Sequence, residues 1–100
     1  MVHHIILWKI KEEKTEAEKT QIRKNVKEGL EGLSGKIDGM TKIHVQTEIL
    51  PTSNADLMLD TTFTDYDSLK AYSVNPDHVK VASTIVAPNM EVRMCLDYED

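Results

Sequence analysis

One hundred residues supply one domain's worth of chain and leave no room for a second independent core. A hydrophobic fraction of 40% with 29% charged residues specifies a packed globule rather than a disordered segment. Seventeen acidic against twelve basic residues, eight of the latter interleaved with glutamates from Lys9 to Lys36, exclude the cationic stripe that a nucleic acid or an anionic membrane would require.

The longest apolar run, Ile5 to Trp8, is far too short for a membrane span, and no signal-like apolar segment follows the start. The single Cys95 offers no internal disulfide and no cysteine-rich zinc module, so the expected location is a reducing cytoplasm.

Val2 to Ile10 reads as a strand, with Val2, His4, Ile6, Trp8 and Ile10 on one face and His3, Ile5, Leu7 and Lys9 on the other. Thr15-Glu16-Ala17-Glu18 matches a capping box and starts a helix whose inward stripe is Ile22, Val26, Leu30 and Leu33, punctuated by Gly35 and Gly39. Met40 to Leu50 alternates as a second strand, Ile43, Val45, Thr47 and Ile49 lying opposite His44, Gln46 and Glu48. Pro51 to Asn54 is a turn, and Leu57 to Phe63 is a third strand that pairs with the second as a hairpin.

Asp65 caps a short helix carrying Leu69 and Tyr72, which Asn75-Pro76 interrupts because the residue before proline disfavours helical geometry. The helix restarts at Pro76, is expected to turn Val79, Ala82 and Val86 inward, and stops at Pro88. Met90 to Tyr98 closes the chain as a strand with Met90, Val92, Met94, Leu96 and Tyr98 on one face. The order β-α-β-β-α-β predicts a ferredoxin-like α+β domain: a four-stranded antiparallel sheet with its helices on one side. The first strand is apolar on both faces, so the helix-free face needs cover, and a second copy of the sheet makes a homodimeric α+β barrel.

Particular residues along this frame are similar to those of a known family: His4-Ile5-Ile6, Asp56-Leu57, Phe63-Thr64-Asp65, Leu69 with Tyr72, Pro76-Asp77-His78, and Asp97-Tyr98. Over nearly the whole chain they resemble the stress-responsive A/B barrel family, called Dabb, within the wider group of dimeric α+β barrel proteins. The resemblance implies the fold and the dimer more than an activity. A minority of members look like plant polyketide cyclases, which use a strand histidine with a helix tyrosine and histidine. Those roles would fall on His4, Tyr72 and His78. Many relatives carry a second histidine before the proline where this chain has Asn75, which weakens the idea of a paired-histidine metal site.

The residues themselves leave alternatives beside that resemblance. His78 falls in the first turn after Pro76, where free backbone N–H groups favour a neutral imidazole, the form a general base needs, or it simply packs the helix start. Tyr72 is either a site residue or a core tyrosine. His4 shares its face with Ile6 and Trp8 and needs a polar partner, as a ligand-orienting group or a satisfied core histidine. His3 points the other way, so the pair does not chelate, and neither has a carboxylate at a usual metal spacing. His44 reads as solvated, Cys95 as a buried inert thiol, and the Glu12-Glu13 and Glu16 to Glu18 clusters as a charged helix start.

No glycine-rich phosphate loop, Ser-His-Asp order, HExxH motif or EF-hand loop is present, and no cofactor is expected. The leading expectation is a Dabb protein that binds a small, largely apolar molecule between sheet and helices, in a pocket lined by Ile6, Trp8, Leu69 and Val79. The alternatives are a cofactor-independent acid–base enzyme using His78, Tyr72 and His4, a structural stress-associated dimer without ligand, and haem binding or monooxygenation through His78.

Overall fold

The computed structural model describes every residue from Met1 to Asp100. Strands β1 (Val2–Ile10), β2 (Met40–Gln46), β3 (Leu57–Phe63) and β4 (Met90–Glu99) alternate with helices α1 (Glu16–Glu31), α2 (Tyr66–Val74) and α3 (Pro76–Val81). The sheet runs β2-β3-β1-β4, and every neighbouring pair is antiparallel. This is the expected ferredoxin-like α+β fold. No helix is long and apolar enough to cross a membrane.

The core follows from period. On β1 the residues Val2, Ile6, Trp8 and Ile10 are buried against Ile22, Val26 and Leu30 of α1, and sixteen such side chains form one cluster. Each fully buried aliphatic or aromatic side chain contributes roughly 1.5–3 kcal/mol. Helix α1 starts where its capping box dictates: the Thr15 Oγ1 accepts from the Glu18 N–H at 3.1 Å, and the Thr15 N–H donates to the Glu18 carboxylate at 2.9 Å. Asp65 caps α2 through the Ser68 N–H, and Asn75 caps α3 through the Asp77 N–H.

Two expectations are corrected. The second strand stops at Gln46 instead of Leu50, because its partner β3 begins at Leu57, one residue past the Gln46–Met58 pair, and leaves Glu48 to Leu50 nothing to pair with. Ile49 and Leu50 are exposed. Val79 is also turned to solvent, 44% exposed, and the inward stripe instead runs through His78, Val81, Ala82, Ile85 and Val86. That series steps by three and one, the spacing of a helical face, and Val79 falls outside it. Beyond α3 the chain widens into one π turn over Ala82–Val86, where the Ala87 N–H reaches the Ala82 carbonyl, and a 3₁₀ turn over Ala87–Asn89 delivers it to β4.

The outer edge of β2 is tied to α1. Lys27 donates to the Val45 carbonyl, and the Glu31 carboxylate accepts the Val45 N–H, so backbone groups that would otherwise template another strand are engaged. At the opposite side β4 is exposed along its length after Met90, on both faces.

Candidate functional site

Antiparallel register decides which side chains meet. His4, Ile6 and Trp8 face the helices from β1, and their partners on β4 are Asp97, Cys95 and Arg93. A bulge between Lys9 and Ile10 shifts the phase so that Ile10 lies opposite Met90, which packs on the core. Between this strip of sheet and the segment from His78 to Ala87 opens a cavity of about 260 Å³. Ile6, Trp8, Leu30, Leu59, Val86 and Met90 give it an apolar wall, and His4, His78, Glu91 and Arg93 give it polar points.

The break at Asn75-Pro76 folds α3 back so that the His78 ring stacks on Tyr72, centroids 3.9 Å apart. Tyr72 is in turn bracketed by Phe63 at 5.2 Å and by the edge of His4 at 6.1 Å. Its hydroxyl and the Nδ1 of His78 are both buried without a hydrogen-bond partner. Burial lowers the His78 pKa below the ordinary histidine value; backbone groups of Tyr72 and Ser73 oppose this, and His4 and Arg93 add to it. Burial likewise drives the Tyr72 phenol far above its ordinary value, against a smaller pull from Arg93. The neutral imidazole and the un-ionised phenol are therefore the resting forms at neutral pH.

His4 is 8% exposed, and its Nδ1–H donates to the Asp97 carboxylate at 2.5 Å. Its own carbonyl accepts from the buried Thr61 hydroxyl at 2.7 Å. Ring and backbone are thus both held. Arg93 takes part in none of the chain's ion pairs and is one of the residues lining the cavity.

Of the residues expected from sequence, His4, His78, Ile6 and Trp8 line the cavity. Tyr72 lies behind His78 with its hydroxyl closed off, Leu69 is buried in the core, and Val79 faces solvent, so these three are not part of the wall. Cys95 is exposed rather than buried, since β4 carries no cover there. Partial desolvation together with the Asp97 carboxylate raises its thiol pKa, which Arg93 opposes. His3 lies on the helix-free face as expected, stacked on Tyr98 at 4.8 Å and 3.1 Å from an Asp100 carboxylate oxygen. His44 is half-exposed at the β2 edge beside Gln46 and Glu31.

Sequence reasoning missed Asp97, Cys95 and Arg93. The signal within reach was their alternation, because residues 93, 95 and 97 of a strand share a face. Asp56, which enters the sequence comparison only beside Leu57, accepts the Ile10 N–H on its carboxylate at 2.7 Å and pairs with Arg23 at 3.8 Å, clasping the end of β1 to α1.

The family model for the Stress Responsive A/B Barrel Domain matches residues 2–100. A dimeric protein of unknown function and ferredoxin-like fold from Bacteroides fragilis is 33% identical over 99% of this chain and 95% of its own, with a TM-score of 0.91. A Dabb family protein from Mesorhizobium loti, 19% identical over 99% and 95% of the two chains, has a TM-score of 0.75. A hydroxynitrile lyase from Passiflora edulis, 18% identical over 97% and 90%, has a TM-score of 0.71. At those lower identities the likeness is one of fold. Among curated proteins none matches.

Proposed function

The chain belongs to the stress responsive A/B barrel domain family, and from that premise we propose that it binds a small, largely apolar carbonyl compound in the cavity between sheet and helices and performs cofactor-independent acid–base chemistry on it. One observation carries this reading: His78, held neutral by burial, stands in the wall of a predominantly apolar cavity beside His4 and Arg93. The cavity's roughly 260 Å³ lies just under the usual range for ligand sites, about 300–1,000 Å³, and suits a small molecule.

Proton abstraction beside a carbonyl needs a base that is unprotonated at working pH and a positive or hydrogen-donating group for the developing enolate oxygen. His78 takes the proton from the carbon next to the carbonyl, and the electron pair moves onto the oxygen. Arg93, free of any carboxylate partner, faces that charge. His4, oriented by Asp97 through Nδ1, offers its other nitrogen to the ligand. Tyr72 acts as a positioning residue whose ring fixes the plane of His78. Return of the proton to another atom gives isomerisation, and attack of the enolate carbon on a second carbonyl gives ring closure. That a hydroxynitrile lyase is built on the same fold supports the view that this scaffold hosts small-molecule chemistry.

The test needs no knowledge of the natural substrate. Phenylacetone in D₂O should exchange its α-hydrogens faster with the protein than in buffer, read by NMR. His78→Ala should reduce that exchange by about 10²–10⁴-fold. Exchange equal to buffer, together with no saturable shift in the resonances of cavity residues, would remove the proposal.

The same reading makes the protein a cytoplasmic homodimer. The dimeric Bacteroides fragilis relative supports the dimer, as does the exposure of Leu7, Val92, Met94, Leu96 and Tyr98 on the helix-free face.

A further inference from the structure

Beside the cavity, three side chains of different donor chemistry meet on the sheet surface between β1 and β4. His4 lies opposite Asp97 and Ile6 opposite Cys95, so pairing and alternation bring His4, Cys95 and Asp97 to one spot. The Cys95 Sγ is 3.8 Å from the His4 Nδ1 and 3.5 Å from the Asp97 Oδ1. All three donor atoms fall within 4.8 Å of one another.

A tetrahedral ion with bonds of about 2.0–2.3 Å holds its donor atoms about 3.3–3.7 Å apart. Both distances from sulfur already lie near that range. The nitrogen–oxygen distance, 2.5 Å, must open by about 1 Å, replacing one hydrogen bond with two metal bonds. Asp97 has the freedom to do this, its side chain being 38% exposed, whereas His4 is buried and held through its carbonyl by Thr61. One fixed ligand and two adjustable ones can close on an ion without disturbing the sheet.

We infer that His4, Cys95 and Asp97 form a three-ligand site for a borderline-soft divalent cation of the Zn²⁺ class. A thiolate beside an imidazole selects against Mg²⁺ and Ca²⁺, which take oxygen donors. Both Cys95 and Asp97 are exposed, so the fourth position faces solvent and takes water or an exogenous ligand, unlike a closed structural site. On loading, Cys95 gives up its thiol proton, and the proton on the His4 Nδ1 moves to the Nε2. The ion therefore reverses the tautomer that His4 offers to the cavity, from an acceptor nitrogen to an N–H donor. The site itself stands independently of the acid–base reading, and its test uses no substrate.

The test is a Co²⁺ titration of the untagged chain at neutral pH under a non-thiol reductant. One equivalent per chain should raise a thiolate-to-cobalt charge-transfer band in the near ultraviolet, and Zn²⁺ should displace it. Cys95→Ser, at an exposed position that leaves the core untouched, should abolish the band with an unchanged far-ultraviolet circular dichroism spectrum. Asp97→Asn and His4→Ala should each weaken Co²⁺ binding, and His3→Ala, on the opposite face, should not. Absence of the band, its survival in Cys95→Ser, or equal affinity in the Asp97 and His4 variants would overturn the assignment.

Discussion

The imidazole of His78 lies flat against the ring of Tyr72, centroids 3.9 Å apart and planes 30° apart, across a helix break that only six residues span. The stack keeps His78 partly out of water, and burial holds its pKa below the ordinary histidine value of about 6.5. In the unfolded chain that value is restored. As pH falls from about 6.5 toward the folded pKa, the unfolded state gains a proton that the folded state refuses, so stability is lost on acidification and is independent of this group above that window. Chemical denaturation of wild type and His78→Gln between neutral and mildly acid pH should show the variant with the flatter profile. The acid limb of any activity profile should bend below the ordinary histidine value for the same reason.

The Tyr72 hydroxyl is buried without a partner. A buried polar group left unsatisfied costs about 1–3 kcal/mol. Tyr72→Phe removes the hydroxyl and keeps the ring stacked on His78, so it should raise stability by roughly 1 kcal/mol, read as a higher denaturation midpoint at unchanged m-value. A loss of stability would mean that the hydroxyl is satisfied in solution.

The parts of this architecture that are local in sequence were legible there. Period-two alternation gave β1 and β3, and the Thr15 capping box and the Asp65 and Asn75 caps placed the helix starts. Val79 falls outside the inward stripe because that face begins with a polar residue, His78, which apolar periodicity alone does not reveal. The alternation of β2 continues on paper to Ile49, but a strand ends where its partner does. His4 and Asp97 are separated by 93 positions, and only the register between β1 and β4 reveals that they touch. Half of the polar site was therefore hidden from a one-dimensional reading.

Gly39 turns the chain into β2 at φ +79°, a conformation that L side chains rarely adopt, and a Cβ there would fall 2.2 Å from the Ser68 Oγ and 2.6 Å from the Ser68 Cβ. The Gly39 carbonyl also accepts the Thr64 N–H at 2.8 Å, so the turn has little room to shift. The left-handed conformation alone costs a non-glycine residue about 1–2 kcal/mol. Gly39→Ala should destabilise by at least that amount, and Ser68→Gly in the same chain should recover part of the loss. Equal stability of wild type and Gly39→Ala would show that the turn rearranges freely.

The helix-free face divides into two halves. Toward β2 and β3 it carries Lys42 and Asp60, paired at 2.8 Å, with His44 and Gln46. Toward β1 and β4 it carries Leu7 with Val92, Met94, Leu96 and Tyr98, which are between 37% and 62% exposed in the single chain. An apolar patch of this kind on an isolated domain marks an interaction surface. A twofold axis through it presents the same patch from both partners, so one substitution enters the interface twice. Leu96→Glu places a carboxylate at the centre of each copy, and burying an unpaired charge costs several kcal/mol per ion. Since every 1.4 kcal/mol is about tenfold in an equilibrium constant, the variant's dissociation constant should rise by at least about 10²-fold. Light scattering after size exclusion at micromolar concentration should then give twice the chain mass for wild type and the chain mass for Leu96→Glu. Val74→Glu supplies the control, because Val74 is 74% exposed on the helical side and its variant should keep the wild-type mass. A monomeric wild type, or a Leu96→Glu chain that still runs as a dimer, would mean that this face is covered by something other than a second copy.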